Sequence, residues 1–406
     1  MARTVKRHDL FYVYAARALR GFGDGFAIII LPVYLSAIGF TAPQIGLVAT
    51  ASLLGTAIMT LAVGMIAPGF ELRSLLLAGA ILTALTGIAF PAAESMAFVL
   101  IVSFIGSINP SGGDLGPLVP LEHAKLTQEA AHAERTRVFA RYSVIGALAT
   151  AAGSLAAALP DLLAPVFTSF GLAPIAALKA MFYGYAGLGV AAALLYSRLP
   201  RDHAHATQTP KVALGTSRGI VYKLAALFSV DAFAGGFVVQ SLLALWLFER
   251  FDLSLSAASL FFFWSNVLSA FSFPVAAWLS KRIGLINTMV FTHIPSSLCL
   301  IAAAFAPSLS VALALLLVRS ALSQMDVPTR SSYVMAVVTP PERAAAASVT
   351  AVPRSLASAI SPAVAGVLLA GPFSALPLVV CGVLKIGYDL ALLVMFQHIK
   401  PPEETS

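Results

Sequence analysis

A succession of long apolar runs is the feature that most constrains how this chain can fold. Of its 406 residues, 59% are hydrophobic and only 11% are charged, whereas soluble proteins average about 45–50% and about 25%. A hydrocarbon core about 30 Å thick is crossed by about 20 helical residues. The chain length therefore allows about twelve crossings with short loops between them. We predict an all-α integral membrane protein without a folded soluble domain.

The apolar runs are separated by Gly, Pro or charged residues, and each is long enough for one helical crossing. They occupy residues 10–38, 44–66, 74–92, 95–120, 138–159, 175–197, 219–249, 256–279, 285–306, 309–337, 344–370 and 375–398. Lys and Arg are concentrated in the loops after every second run, which the positive-inside rule assigns to the cytoplasm. The sequence predicts a multi-pass protein of the bacterial inner membrane with both termini cytoplasmic. The net charge of +7 follows from this bias and indicates no nucleic-acid partner.

The longest polar stretch lies near the midpoint of the chain and divides the runs into two sets of six. It predicts an N-terminal bundle at residues 1–197, a cytoplasmic linker at 198–218 and a C-terminal bundle at 219–406. A Pro-x13-Glu-Arg element closes the fourth and the tenth runs at corresponding places: Pro120 with Glu134 and Arg135, and Pro328 with Glu342 and Arg343. Recurrence at a fixed offset predicts two parallel six-helix repeats.

Twelve runs, a central linker and the repeated Pro-x13-Glu-Arg element resemble the major facilitator superfamily, and the resemblance covers the whole chain. It implies a secondary transporter that alternates access by rocking two six-helix bundles about a central cavity. The superfamily's usual Gly-x-Leu-x-Asp-Arg-x-Gly loop, which helps latch the cytoplasmic gate, is altered here. The first copy, at residues 64–73, lacks the Asp, and Lys281 stands in its place in the second copy.

Carboxylates inside the predicted crossings are the candidates for proton coupling. A charge at mid-bilayer costs about 2.5–3.5 kcal/mol on insertion scales, so ionisable residues at that depth indicate function. Asp24, Asp114 and Asp231 lie in the first, fourth and seventh runs. Because burial disfavours the charged form of a carboxyl group, each could exchange a proton near neutral pH. Asp24 also follows Arg20 at the i, i+4 spacing of a helical ion pair.

Cationic and polar residues inside the crossings are the candidates for substrate binding. Arg354 has no carboxylate on its own predicted helix, and arginine stays charged, so it requires an anionic partner or an anionic substrate. The other substrate-binding candidates are Arg319, Arg20 and Asn266. His293, the one histidine in the interior of a predicted crossing, is interpreted as a helix-packing residue beside Pro295.

A third group of charged residues is predicted to form gate or structural ion pairs. Asp326 with Arg330 and Lys385 with Asp389 have the i, i+4 spacing of pairs on one helix face. The remaining members are the repeated Glu134, Arg135, Glu342 and Arg343.

These features favour proton-coupled efflux of a small organic solute by a chain that works as a monomer in the lipid bilayer. The alternative is an importer or facilitator of an organic anion bound by the cavity arginines. No motif predicts a cofactor, a metal site or ATP binding. An enzyme is disfavoured because no nucleophile and base converge in the sequence, and a receptor is disfavoured because long extramembrane segments are lacking.

Overall fold

The computed structural model describes residues 7–93, 95–112, 116–129, 135–201 and 214–398. Within these ranges the chain forms sixteen α-helices and no β-strand. The helices are α1 (Arg7–Ala37), α2 (Ala42–Ile66), α3 (Leu72–Ala89), α4 (Met96–Ile105), α5 (Leu118–Glu129), α6 (Arg135–Ala156), α7 (Leu159–Ser169), α8 (Ile175–Tyr196), α9 (Arg218–Gly236), α10 (Gln240–Phe251), α11 (Leu255–Ile283), α12 (Leu285–Ala304), α13 (Leu309–Ser323), α14 (Asp326–Val337), α15 (Arg343–Leu369) and α16 (Leu376–Phe396).

Eleven helical segments of the described chain are long and apolar enough to cross a membrane. They are His8–Ala37, Ala42–Ile66, Leu72–Ala92, Arg137–Ser169, Ile175–Tyr196, Arg218–Phe251, Leu255–Ile283, Leu285–Ala304, Leu309–Val337, Ala345–Leu369 and Leu376–Phe396. Each of them falls on one of the predicted runs. The fourth run instead coincides with α4, which has only 10 residues, and the start of α5. Twelve crossings therefore stay a prediction, with eleven segments of spanning length observed.

The fourth run is interrupted by residues that cannot continue a helix. Gly106 ends α4, and its N–H donates to the Val102 carbonyl. Pro110 lacks a backbone N–H, and Gly112 adopts φ +72°, a left-handed conformation that glycine reaches without steric cost. Asp114, the proton-coupling candidate of this run, lies outside the described residues.

The chain folds as two compact units. Unit 1 comprises Met1–Thr207 and Gln240–Phe263, and unit 2 comprises Gln208–Val239 and Trp264–Ser406. The division differs from the predicted bundles in the segment 240–263, which belongs to unit 1 because α10 packs against α1 and α2. The arrangement as two six-helix repeats stays a prediction.

Each unit has its own apolar core. Val13 and Tyr142 are fully buried in unit 1, and Met289 and Leu392 are fully buried in unit 2. Two residues after Leu392, Val394 on the same helix is 69% exposed. Helix α16 thus presents apolar side chains outward as well as inward, as expected of a helix that contacts lipid.

Close packing of small residues joins α1 to α6 in unit 1. A Cβ at Gly25 would meet the Thr150 carbonyl oxygen, and a Cβ at Gly153 would meet the backbone of α1. Gly146 lies against the guanidinium of Arg17 in the same way. The glycines of α6 therefore allow a close approach of two helices.

Candidate functional site

Unit 2 contains a cluster of buried ionisable side chains supplied by α9, α12, α14 and α16. We call it the Asp231 cluster, and its members are Asp231, His293, Asp326, Arg330, Lys385 and Asp389. Their side chains are between 0% and 13% exposed. Burying a charge is costly unless it is paired, and each member of the cluster has an oppositely charged or hydrogen-bonding partner within it.

Asp231 on α9 lies between two cations. Its Oδ1 accepts a hydrogen bond from Lys385 Nζ at 2.6 Å, and its Oδ2 accepts one from Arg330 Nη1 at 3.0 Å. Arg330 Nη1 also lies 2.9 Å from Asp326 Oδ2 within α14. The Asp326–Arg330 pair is thus present, as its spacing predicts. Asp231, proposed from the sequence as a proton-coupling residue, is an ion-paired carboxylate in this structure.

His293 on α12 connects Asp389 and Lys385, which both lie on α16. Its Nδ1 lies 3.0 and 3.1 Å from the two carboxylate oxygens of Asp389, and its Nε2 lies 3.2 Å from Lys385 Nζ. An ammonium group only donates hydrogen bonds, so Nε2 accepts and the proton of a neutral imidazole resides on Nδ1. This tautomer follows from the hydrogen-bond network.

Two sequence interpretations change at this point. His293 is more than a packing residue, and the signal that marked it was that no other histidine lies in the interior of a predicted crossing. Lys385 and Asp389 do share a face of α16, but Lys385 contacts Asp231 on α9 while Asp389 contacts His293 on α12. Each of them therefore contacts a residue on a neighbouring helix instead of the residue four positions away on α16.

Two arginines of unit 2 are substrate-binding candidates from the sequence. The Nε of Arg354 on α15 is buried and has no hydrogen-bond partner among the described residues, although the carboxylates of Asp231 and Asp326 act on it electrostatically. Arg319 on α13 forms no ion pair within the part of the chain that the structure describes. Asn266 on α11 is half-buried, and its side chain is not without an interaction partner.

Unit 1 contains a second buried cluster, centred on Glu122 of α5. This carboxylate is fully buried. It accepts hydrogen bonds from Arg20 Nη2 at 2.5 Å, from the Tyr142 hydroxyl at 2.5 Å and from the Tyr196 hydroxyl at 2.6 Å. The sequence analysis missed Glu122 because it follows the predicted end of the fourth run by two residues and there resembles a loop acid. Arg20 is accordingly the ion-pair partner of Glu122 and not of Asp24 among the described residues, and its substrate-binding role stays a prediction.

Asp24 on α1 differs from Glu122, Asp231 and Asp326, each of which forms an ion pair with an arginine. It is half-buried and accepts one hydrogen bond, from the Tyr185 hydroxyl at 3.3 Å. Arg17 and Arg20 act on it electrostatically, but no ion pair to Asp24 occurs among the described residues. Unit 1 therefore holds a membrane carboxylate that keeps solvent access and a single neutral donor.

The second Glu-Arg element forms a helix cap. Glu342 accepts hydrogen bonds from the backbone N–H groups of Gly215 and Ser217 just before α9, while Arg343 Nε donates to the Met335 carbonyl oxygen at 3.0 Å. Hydrogen bonds from Ser217 and Gly215 lower the pKa of Glu342 below its usual range. The side chains of Glu342 and Arg343 thus form hydrogen bonds to different partners. Of the first copy, Glu134 lies outside the described residues and Arg135 begins α6.

We expect Glu342→Gln to lower the thermal unfolding midpoint at pH 7, because the variant loses the charge that these N–H groups bind. A carboxyl group whose pKa is lowered by folding contributes stability above its unfolded pKa, and this contribution disappears as the pH falls through its folded pKa. The gap between wild type and variant should therefore narrow as the pH is lowered from 7 towards 4. Asp252→Asn, at an exposed position outside the spanning segments, is the control. A gap that is constant across this pH range would contradict the prediction.

Comparison with known proteins identifies the family of this chain. Residues 13–362 match the profile of the Major Facilitator Superfamily. The chain belongs to this superfamily. It is therefore an integral, multi-pass membrane protein and a membrane transporter rather than an enzyme.

Three relatives illustrate how this superfamily member compares with others. It is 22% identical to an uncharacterized membrane protein of Saccharomyces cerevisiae, YJR124C, over 96% of this chain and 94% of that protein. The crystal structure of the nucleoside transporter NupG matches with a TM-score of 0.75 at 16% identity, over 96% of this chain and 99% of the other. A D-xylose-proton symporter matches with a TM-score of 0.74 at 14% identity, over 99% and 100%. At these identities the structural likenesses establish the fold.

Proposed function

We propose that this transporter moves a small organic solute across the membrane by alternating access, in exchange for protons, and that its direction is efflux. Asp24 is the proposed proton carrier. The single observation that supports this role is its environment in unit 1: a half-buried carboxylate with one hydrogen bond from Tyr185 and no ion pair among the described residues.

The contrast with the ion-paired carboxylates of the two clusters supports the choice of Asp24. Asp231 contacts two cations and Glu122 contacts Arg20, and a carboxylate that neutralises a buried cation cannot take up a proton without leaving that cation unpaired. Asp24 can be protonated at lower cost because its one donor is a neutral hydroxyl. Gly23 and Gly25 on either side are packed against Tyr185 and against the backbone of α6.

The test begins with a ligand screen on the purified full-length protein. Organic cations, neutral metabolites and organic anions are compared for their effect on the unfolding temperature at pH 5.5 and pH 8. A ligand that binds only the folded state stabilises it by about 2.7 kcal/mol at a hundredfold excess over its Kd. A stabilising solute is then used for transport measurements in proteoliposomes.

We expect Asp24→Asn to abolish solute flux driven by a pH gradient, because asparagine cannot bind or release the proton. Exchange of labelled for unlabelled solute without net proton movement should be retained. Asp252→Asn is the matched control, since Asp252 is exposed and has φ +50°, a conformation that asparagine also adopts. Gradient-driven flux at the wild-type rate in Asp24→Asn would exclude Asp24 as the carrier.

The direction is tested separately from the coupling. For efflux, cells that express the wild-type chain should accumulate less of the labelled solute than cells that express Asp24→Asn. Greater accumulation by the wild type would assign import instead.

A second candidate function is transport of an organic anion. The observation that favours it is the Nε of Arg354, which is buried and has no hydrogen-bond partner among the described residues. Arg319, which forms no ion pair among them, is the second proposed anion ligand. In the same ligand screen, this function predicts that organic anions stabilise the wild type and that Arg354→Gln removes their effect without lowering the unfolding temperature of the ligand-free protein. Stabilisation by cations or neutral solutes alone would exclude it.

The cellular setting is part of the same proposal. We infer a monomer of the bacterial inner membrane with two six-helix bundles and both termini in the cytoplasm. The observation that supports this orientation is the concentration of Lys and Arg in alternate loops.

A further inference from the structure

We propose that the outer face of α6 binds an anionic phospholipid, whose phosphate lies against Arg137 and Arg141 and whose acyl chain follows the helix towards its middle. The site belongs to unit 1 and uses none of the residues proposed to carry the proton or the solute. The inference therefore goes beyond the proposed function, and it is tested without a transport measurement.

An open groove of about 350 Å³ marks the site. It is lined by successive turns of one helix, through Arg137, Ala140, Arg141, Val144 and Ile145. Both arginines are exposed, and they lie at the start of the spanning segment Arg137–Ser169. At a rise of 1.5 Å per residue they are about 6 Å apart along the helix axis. Both guanidinium groups are therefore supplied at the end of a membrane-crossing helix, where lipid headgroups lie.

The helix face that continues from the arginines is apolar and points outward. Val144 and Leu148 follow Arg137 at i+7 and i+11, so they share its face of the helix. Their side chains are 56% and 57% exposed. Exposed apolar residues of a spanning helix contact the hydrocarbon of the bilayer. One face of α6 thus presents two cations at its end and apolar side chains further along, which matches the headgroup and the acyl chain of a phospholipid.

The charge of the groove favours an anionic occupant. Residues at i and i+4 are neighbours on a helix surface, and like charges at this spacing repel. Neither Arg137 nor Arg141 forms an ion pair within the described ranges. A phosphate between them relieves this repulsion, and guanidinium groups bind phosphate oxygens through paired N–H donors. A zwitterionic headgroup is disfavoured because its cation would face the same two arginines.

The backbone beneath the groove is held by α1. The Tyr14 hydroxyl donates to the Val138 carbonyl oxygen at 3.1 Å, and Arg141 acts electrostatically on the same tyrosine. Further along α6, Gly146 lies against the guanidinium of Arg17. The groove is therefore formed on a fixed stretch of helix, so a bound lipid orders only the two arginine side chains.

The experiment measures lipid binding to the full-length protein, purified in detergent and stripped of lipid. Dioleoylphosphatidylglycerol is titrated as the anionic probe and dioleoylphosphatidylcholine as the zwitterionic one, and the unfolding temperature is recorded at each concentration. We expect greater stabilisation by phosphatidylglycerol. In Arg137→Gln with Arg141→Gln, its apparent affinity should fall about tenfold or more, because hydrogen bonds between charged groups are lost.

Lys281→Gln with Arg282→Gln is the matched control, since it removes two exposed cations from the last turn of α11 and changes the net charge equally. It should keep the wild-type affinity for phosphatidylglycerol. An equal loss of affinity in this control would reduce the effect to general charge attraction and overturn the proposal. If the α6 double variant does not fold, Arg141→Gln alone replaces it.

Three further results would overturn the proposal. Equal stabilisation by phosphatidylcholine would show that the charge of the headgroup is not recognised. Equal stabilisation by glycerol 3-phosphate at the same concentration would show that the acyl chain is not needed. An unchanged lipid affinity of the α6 variant, together with a change in its oligomeric state, would assign this face to a second copy of the chain.

Discussion

Replacing Asp231 with asparagine should destabilise the protein by about 3–5 kcal/mol, the cost of leaving a buried charge without its partner. The substitution keeps the size of the side chain but removes the charge that Lys385 and Arg330 share. Both cations are nearly buried, so water cannot replace the carboxylate. The free energy of unfolding is measured by denaturant titration in detergent micelles.

A charge-balanced double variant tests whether the destabilisation of Asp231→Asn comes from the cation that it leaves unpaired. In Asp231→Asn with Lys385→Met, one cation is removed together with the carboxylate, and we expect the double variant to be more stable than Asp231→Asn alone. Asp326→Asn is the matched single control. Its effect should be smaller, because Arg330 keeps its contact with Asp231. A double variant that is no more stable than the single one would show that Lys385 is not the group left unpaired.

Replacing Glu122 with glutamine is the second change for which we expect a loss of about 3–5 kcal/mol. Glu122 is fully buried and accepts from three donors, one of which is the guanidinium of Arg20. Glutamine has only one carbonyl oxygen for these donors, and its NH2 group would face at least one of them. The cluster would therefore lose both its charge balance and part of its hydrogen bonding.

The tyrosines around Glu122 give a graded comparison. Tyr196→Phe removes one hydrogen bond to a charged group, which contributes about 1.5–3 kcal/mol. Tyr142→Phe removes two, because its hydroxyl donates to Glu122 and also accepts from Arg20 Nη2 at 3.0 Å. Both variants leave the Arg20–Glu122 ion pair in place. We therefore expect Tyr196→Phe to destabilise the protein less than Tyr142→Phe and less than Glu122→Gln in the same denaturant titration. If Glu122→Gln were as stable as the wild type, the ion pair with Arg20 would not be the main stabilising contact of this cluster.

The helices of this protein could be predicted from the sequence because the bilayer leaves few alternatives. Backbone groups in hydrocarbon must be satisfied within the segment, so a long apolar run forms a helix wherever it lies in the chain. Eleven of the predicted runs coincide with helical segments of spanning length. The break in the fourth run follows from local chemistry as well, since Gly106, Pro110 and Gly112 interrupt the helix.

The functional side chains were predicted less completely, because spacing along one helix identifies only partners on that helix. Asp326 and Arg330 pair at i, i+4 as expected. For Lys385 and Asp389 the same spacing predicts a contact, but the structure gives them partners on α9 and α12. Glu122 carried no local signal at all, since its donors come from α1, α6 and α8.

The sequence by itself determined that the chain crosses a membrane, where its spanning helices lie and that charges such as Asp231, Arg330 and Lys385 lie within them. Only the tertiary structure decided which of those charges meet. Asp231 and Lys385 are 154 residues apart, and His293 and Asp389 are 96 residues apart. The energy of burying a charge in hydrocarbon depends on the residue and its depth, which the sequence contains, whereas its pairing depends on helix packing between distant segments.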